Sequence, residues 1–190
     1  MRTVANNTTT YRGRRWAGVL GALVTAVVAW AAVPLPQAGA DDAAPIGNLG
    51  DTLHVNYDGI VADVTVHDVL PTDVPPGWTW AGSPRWRAQG SPWKANVTVH
   101  TIKSVNPYQL ATAFTFAGVT PYADAYQSRH TEAPNALETK LLNTPPGSTV
   151  DGDVYWDVYR GLVTNVVLIN PATGTHLAQW NIWHPGDPLP

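Results

Sequence analysis

From Leu53 to Trp183 the chain is built on a two-residue alternation of apolar and polar positions, and no long stretch keeps the 3.6-residue period of an amphipathic helix. Leu53 and Val55 alternate with Thr52, His54 and Asn56. Asp58-Gly59 then marks a two-residue hairpin turn. Beyond it Ile60, Ala62, Val64 and Val66 lie on one face, against Asp63, Thr65 and His67 on the other. Trp93, Ala95, Val97 and Val99 repeat the pattern against Lys94, Asn96, Thr98 and His100. Leu110, Thr112, Phe114 and Phe116 predict a further strand after Asn106-Pro107, and Tyr122–Tyr126 alternates more weakly. In the last third, Val154, Trp156 and Val158 face away from Asp153, Tyr155, Asp157 and Tyr159. Arg160-Gly161 turns the chain into Leu162–Ile169, apolar on both faces, and the loop Asn170–Gly174 leads to a final strand, His176–Trp183.

Strands of this length with regular turn signals predict an all-β fold, a two-sheet sandwich or a barrel. Two irregular segments interrupt them. Pro71–Pro92 carries five prolines and three glycines, and in residues 129–151 the stretch Ala136–Leu142 suits a short helical turn. Loops of this length in a compact domain are where function concentrates.

Ahead of the alternating region stands a segment of a different kind. Arg2, Arg12, Arg14 and Arg15 precede an apolar run, Trp16–Val33, which Pro34 and Pro36 end just before Ala38-Gly39-Ala40 and Asp41. A basic segment, an apolar segment and small residues at −3 and −1 predict an export signal over 1–40, cleaved between Ala40 and Asp41. A retained anchor is the competing reading, since the run approaches the ~20 residues that span a bilayer. Gly18, Gly21 and Thr25 dilute that run, and Asp41-Asp42 follow it where an anchor's basic flank would stand. Arg14-Arg15 also raises the twin-arginine route, but Trp16-Ala17-Gly18 continues that signal poorly, so the general secretory path is favoured.

Cleavage would leave residues 41–190, one domain's worth of chain and enough for a genuine core. Four of the 11 basic residues leave with the signal while all 14 acidic residues stay, so the remainder carries a net −7. Such a field repels phosphate backbones and anionic membranes, which argues against nucleic-acid binding. The chain has no cysteine, so thiolate metal sites, cysteine nucleophiles and disulfides are excluded.

Several stretches resemble the small secreted mycobacterial immunogenic protein family MPT-sixty-three (MPT63). They are Ile46-Gly47-Asn48-Leu49-Gly50, Val66-His67-Asp68-Val69-Leu70, Trp93–Val99, Gly152–Val158 and Ile182-Trp183-His184-Pro185, in order and over most of 46–185. The resemblance implies an antiparallel, immunoglobulin-like β-sandwich that is secreted and soluble. It brings no catalytic residue, cofactor or agreed molecular role. The chain departs from the family at Trp78–Trp93, which is longer and richer in Trp, Pro and Arg.

Trp78, Trp80 and Trp86, with Arg85 and Arg87 interleaved, are the candidate ligand-binding residues. Aromatic faces on a sandwich loop stack on sugar rings, and guanidinium groups bridge to such ligands. The competing reading is that these rings plug the end of the sandwich. Trp93 suits that reading, and Trp156 and Trp183 are expected in the core. His54, His67 and His100 are three outward imidazoles, but sequence separation gives them no ligand spacing, so no metal site is expected. Asp153 and Asp157 share a strand face ~13 Å apart, beyond the carboxyl separations of either glycosidase mechanism. Asp151-Gly152-Asp153 lacks the remaining ligands of a calcium loop. No Gly-x-Ser-x-Gly elbow exists, and the acceptor-like Asn96-Val97-Thr98 lies inside a predicted strand. The expectation is a secreted, monomeric, non-enzymatic domain without cofactor, meeting host or cell-envelope proteins or glycans through its surface. A carbohydrate- or glycolipid-binding module built on the Trp78–Trp93 loop is the alternative.

Overall fold

The computed structural model describes residues 43–77 and 87–182, all within one compact unit, Asp41–Pro190. The cleavage residues Ala38, Ala40 and Asp41 lie outside the described residues, and so does Trp183. In chain order the elements are β1 (Ile46–Asn48), β2 (Thr52–Tyr57), β3 (Ile60–Pro71), β4 (Ser91–Lys103), α1 (Gln109–Ala113), β5 (Thr115–Val119) and β6 (Ala125–Gln127). Then follow α2 (Leu137–Lys140), which runs into a 3-10 turn at Leu141–Asn143, and β7 (Thr149–Val158), β8 (Asn165–Ile169) and β9 (His176–Asn181).

One sheet has the order β1-β9-β8-β5-β6 and the other β2-β3-β4-β7. Every pairing is antiparallel except that of β1 with β9, which is parallel. The chain crosses between sheets four times, from β1 to β2, β4 to β5, β6 to β7 and β7 to β8. As a result β4 pairs with β7 in one sheet and β5 with β8 in the other. This interlocked Greek-key arrangement, with a first strand lying parallel to the last, makes the fold an immunoglobulin-like sandwich.

Local sequence explains the joints. Tyr57 pairs with Ile60 across Asp58 (φ 47°) and Gly59 (φ 76°), a two-residue turn with both central residues left-handed, which a short polar residue and a glycine tolerate best. A register shift between Val66 and Asp68 leaves His67 as the extra residue of a bulge. That bulge returns Val69 to the inner face after Val66. The core is formed by Val55, Ile60, Ala62, Val64, Val66, Val97, Val99, Val154, Trp156 and Val158 of one sheet against Phe116, Val166, Leu168, Ala178 and Trp180 of the other. Each fully buried side chain of this size stabilises the fold by about 1.5–3 kcal/mol. The Trp156 indole donates to Phe116 O (3.0 Å) and the Trp180 indole to Asp51 O (3.0 Å).

The fold corrects three expectations. Leu110 and Thr112 are helical, not extended, since Leu110 and Ala113 are buried from one face of α1 and only Thr115 onward forms a strand. The last apolar strand begins at Asn165 rather than Leu162. On β7 the supposedly solvent-facing Asp153, Tyr155 and Asp157 are all buried. The segment that follows β6 covers that face. Arg129 N donates to Tyr155 O (2.7 Å), Asp153 N donates to Asn135 O (2.7 Å), and Ala133 and Ala136 pack on Tyr155. This shields the free edge of β7 from stray pairing.

Candidate functional site

Three groups of polar residues carry the candidate chemistry. The first lies on the outer face of β2-β3-β4-β7. His54 stands opposite Asp63, Asp63 opposite His100 and His100 opposite Thr149. The side chains follow the same rows. His54 Nδ1 meets Asp63 (2.8 Å), His100 Nδ1 meets Thr149 (2.9 Å) and His67 Nε2 meets Thr98 (2.7 Å). The strands bearing the three histidines are thus adjacent, but each imidazole is held by a cross-strand partner. Among the described residues no three His, Asp or Glu side chains converge as metal ligands.

The second group is the pair of buried carboxylates on β7. Asp157, only 1% exposed, accepts from Gln89 N (2.8 Å) and Gly90 N (2.9 Å). It therefore anchors the end of the loop that leads from β3 to β4. Gly90 lies so close to Val158 that a Cβ there would sit 2.2 Å from the Val158 carbonyl oxygen. Asp153 accepts from Asn96 Nδ2 (3.2 Å) and Tyr155 OH (3.4 Å) and lies 3.7 Å from Lys94 Nζ. Burial, then the Asp153 charge and its hydrogen bond, raise the Tyr155 hydroxyl above its ordinary pKa. These acids hold backbone and neighbours in place.

The third group gathers at the same end of the sandwich. The β5–β6 hairpin closes through a three-residue loop, Pro121-Tyr122-Ala123, with Ala123 N donating to Thr120 O and Thr120 N to Asp124 O, both at 3.0 Å. Ala123 is left-handed (φ 63°), a position that usually takes glycine. The loop projects Tyr122, 73% exposed, and a Cβ on Gly161 would sit 3.3 Å from its ring. Tyr126 meets Tyr159 edge to face with centroids 5.5 Å apart, and Arg129 Nη2 donates to Tyr159 OH (3.0 Å). Tyr159 itself is 48% exposed. Tyr122, Asp124, Arg160 and Gly161 line an open depression of about 450 Å³. Tyr126, Gln127, Ser128, Arg129 and Asp157 line a second of about 270 Å³. Ser128 and Arg129 also border a cleft of about 130 Å³ between the sheets, floored by Phe114, Phe116, Leu137, Leu141 and Val154.

Of the residues singled out in the sequence, Trp78, Trp80, Arg85 and Trp86 lie outside the described residues. Arg87 is exposed, two residues before the Asp157 anchor. Trp93 stands opposite Trp156 and packs partly buried against the core, with its Nε1 enclosed and without a partner among the described residues. The tyrosine–arginine group was not among the sequence candidates. Its members come from positions 122–129 and 159–160, and only the crossing of the chain between sheets brings them together.

An all-β immunoglobulin-like sandwich with an aromatic, arginine-bearing end is the class this geometry defines. No family model matches the chain, and no curated protein matches its sequence. Among solved structures, the secreted protein MPT63 of Mycobacterium tuberculosis is similar, with a TM-score of 0.55 and 22% identity over 73% of this chain and 98% of that one. The likeness is a distant one of fold. The yjhA protein from Bacillus subtilis aligns with a TM-score of 0.42 and 15% identity, over 67% of this chain and 84% of its own.

Proposed function

We propose that this chain is an exported, non-enzymatic protein of the MPT63 type that acts by surface contact with host or cell-envelope partners, as a monomer without a cofactor. The observation that carries the reading is the exposed aromatic end. Tyr122 and Tyr159 present large rings to solvent while the neighbouring Asp157, which acid–base chemistry would need free, is bound to two backbone N–H groups. Exposed tyrosine beside arginine is the composition of energetically dominant contact sites. Export is supported by the basic and apolar segments of residues 1–40.

Three measurements test the reading. N-terminal sequencing of the protein recovered from culture medium is expected to begin at Asp41; an intact terminus in the membrane fraction would show that the signal stays as an anchor. Fluorescently labelled chain is expected to bind washed envelopes or host cells saturably and to be displaced by unlabelled chain. Turnover of an ester or glycan substrate by the purified protein would refute the non-enzymatic reading.

A further inference from the structure

We infer that the end of the sandwich formed by Tyr122, Asp124, Tyr126, Arg129, Tyr159 and Arg160 is a carbohydrate-binding surface that takes a pyranose ring against Tyr122. The inference rests on the surface-contact reading above and names the chemistry of the contact.

Three observations converge there. The Tyr122 ring lies along the backbone at Gly161 and is otherwise open to solvent, at 73% exposure. Such a ring offers an electron-rich face to the weakly positive C–H face of a sugar. It is held out by a strained element, since Ala123 occupies the left-handed position of the turn where glycine would be relaxed. Backbone strain of this kind persists where the surrounding structure enforces it, and clusters at ligand contacts.

The second observation is Asp124. Its Oδ2 is enclosed yet has no hydrogen-bond donor among the described residues, although the residue lines the same depression as Tyr122 and Arg160. An enclosed acceptor without a donor is destabilising unless something supplies one. Because this oxygen is closed to a water-sized probe, a sugar hydroxyl supplies that donor only once a bordering side chain has moved aside. The third observation is the distribution of donors. Arg160 borders the first depression, while Arg129, hydrogen-bonded to Tyr159 OH through one nitrogen, borders the second. Guanidinium groups carry five donors each, so both have N–H groups left for hydroxyl or ring oxygens.

The lining residues include no aliphatic side chain larger than alanine, so the apolar surface they offer is confined to aromatic faces set among hydrogen-bonding groups. Rings interleaved with polar groups match a saccharide, whose apolar faces are rimmed by hydroxyls.

The test is affinity electrophoresis of the purified full-length chain through native gels containing a neutral β-glucan, a mannan, a xylan or polygalacturonate. At least one polymer is expected to retard the chain, and the uronate arm separates an acidic preference from a neutral one. Tyr122→Ala and Asp124→Asn are each expected to weaken the apparent affinity by about tenfold. Tyr122→Trp should keep it, and Tyr108→Ala, at the opposite end, should leave it unchanged. Asp124→Asn should also unfold at the same urea concentration as the parent, because the enclosed Oδ2 accepts no hydrogen bond that the change could remove; a carboxylate that held the turn together would lose stability. Unretarded migration in all four gels overturns the inference, as does retardation that survives Tyr122→Ala. A chain unretarded by every polymer that still binds cells saturably overturns the glycan assignment and leaves the surface-contact reading standing. Depolymerisation of the gel polysaccharide overturns both.

Discussion

The Trp156 indole N–H donates to the carbonyl of Phe116, a carbonyl that also accepts the backbone N–H of Ser128 at 3.0 Å. One oxygen thus joins a strand of each sheet and the chain leaving β6. Trp156 is fully buried, and Gly118 lets it approach β5, since a Cβ there would lie 3.1 Å from the indole. Trp156→Phe keeps most of the ring but removes the donor, and should destabilise the fold by about 1–3 kcal/mol. Trp156→Ala opens a cavity as well and should lose about 3–5 kcal/mol. Urea unfolding followed by far-UV circular dichroism checks both; equal midpoints for Trp156→Phe and the parent would remove the inter-sheet bond from the account.

Gly152 is the point where α2 rests on β7. A Cβ at Gly152 would lie 2.6 Å from Leu137 Cα and 2.9 Å from Asn135 O, both backbone atoms that cannot swing aside. Gly152→Ala should therefore destabilise by about 1–3 kcal/mol through overpacking. The same unfolding experiment reads it, with hydrogen exchange at Asp153 N expected to accelerate.

Asp157 holds the end of the loop between β3 and β4. Asp157→Ala leaves the N–H groups of Gln89 and Gly90 without their acceptor, a loss of about 1.5–3 kcal/mol for bonds to a charged group. Limited proteolysis should then cut between residues 72 and 90 faster than in the parent. An unchanged cleavage pattern would mean that the loop is anchored elsewhere.

The raised pKa of Tyr155 gives a signed expectation at high pH. Its proton is held more tightly in the folded state than in the unfolded one. Below the unfolded value near 10 the contribution is fully present. Above it the unfolded state sheds the proton first, so stability falls as pH rises through the folded value. Tyr155→Phe should flatten that alkaline fall in urea midpoints measured from pH 7 to 11. A fall as steep as the parent's would assign it to other tyrosines.

Ala123 is the one place where a substitution should help. Relieving its left-handed backbone with Ala123→Gly should stabilise by up to about 1 kcal/mol, measured as a higher thermal midpoint. A lower midpoint would mean that the entropy of glycine outweighs the strain.

Period-two patterning located most strands because each sheet has one face toward the core and one toward solvent, a condition that writes itself into sequence. The Asp58-Gly59 turn was equally legible, since left-handed geometry narrows the choice of residue. The pattern misled at Leu110–Phe114, where Leu110 and Ala113 satisfy a helical spacing while Leu110, Thr112 and Phe114 happen to satisfy an extended one. It also misled at Asp153, Tyr155 and Asp157. A polar or aromatic outer face looks solvent-facing until separate segments lie over it, here residues 129–136 at Asp153 and Tyr155 and Gln89-Gly90 at Asp157. The tyrosine–arginine end could not be read locally at all, because Tyr126 and Tyr159 meet through the topology and not through spacing.

The parallel pairing of β1 with β9 sets Ile46 beside Gln179 and Asn48 beside Asn181. The first strand to be synthesised therefore waits for the last. A chain emerging from the ribosome or from a translocation pore can fold β2, β3 and β4 as soon as they appear, since they pair with their neighbours in sequence. It cannot finish the five-stranded sheet until residue 181 has cleared. Such distant pairings close slowly, so this sheet closes after the β2-β3-β4 meander has formed, and a chain cut short before His176 leaves β1 without its strand partner.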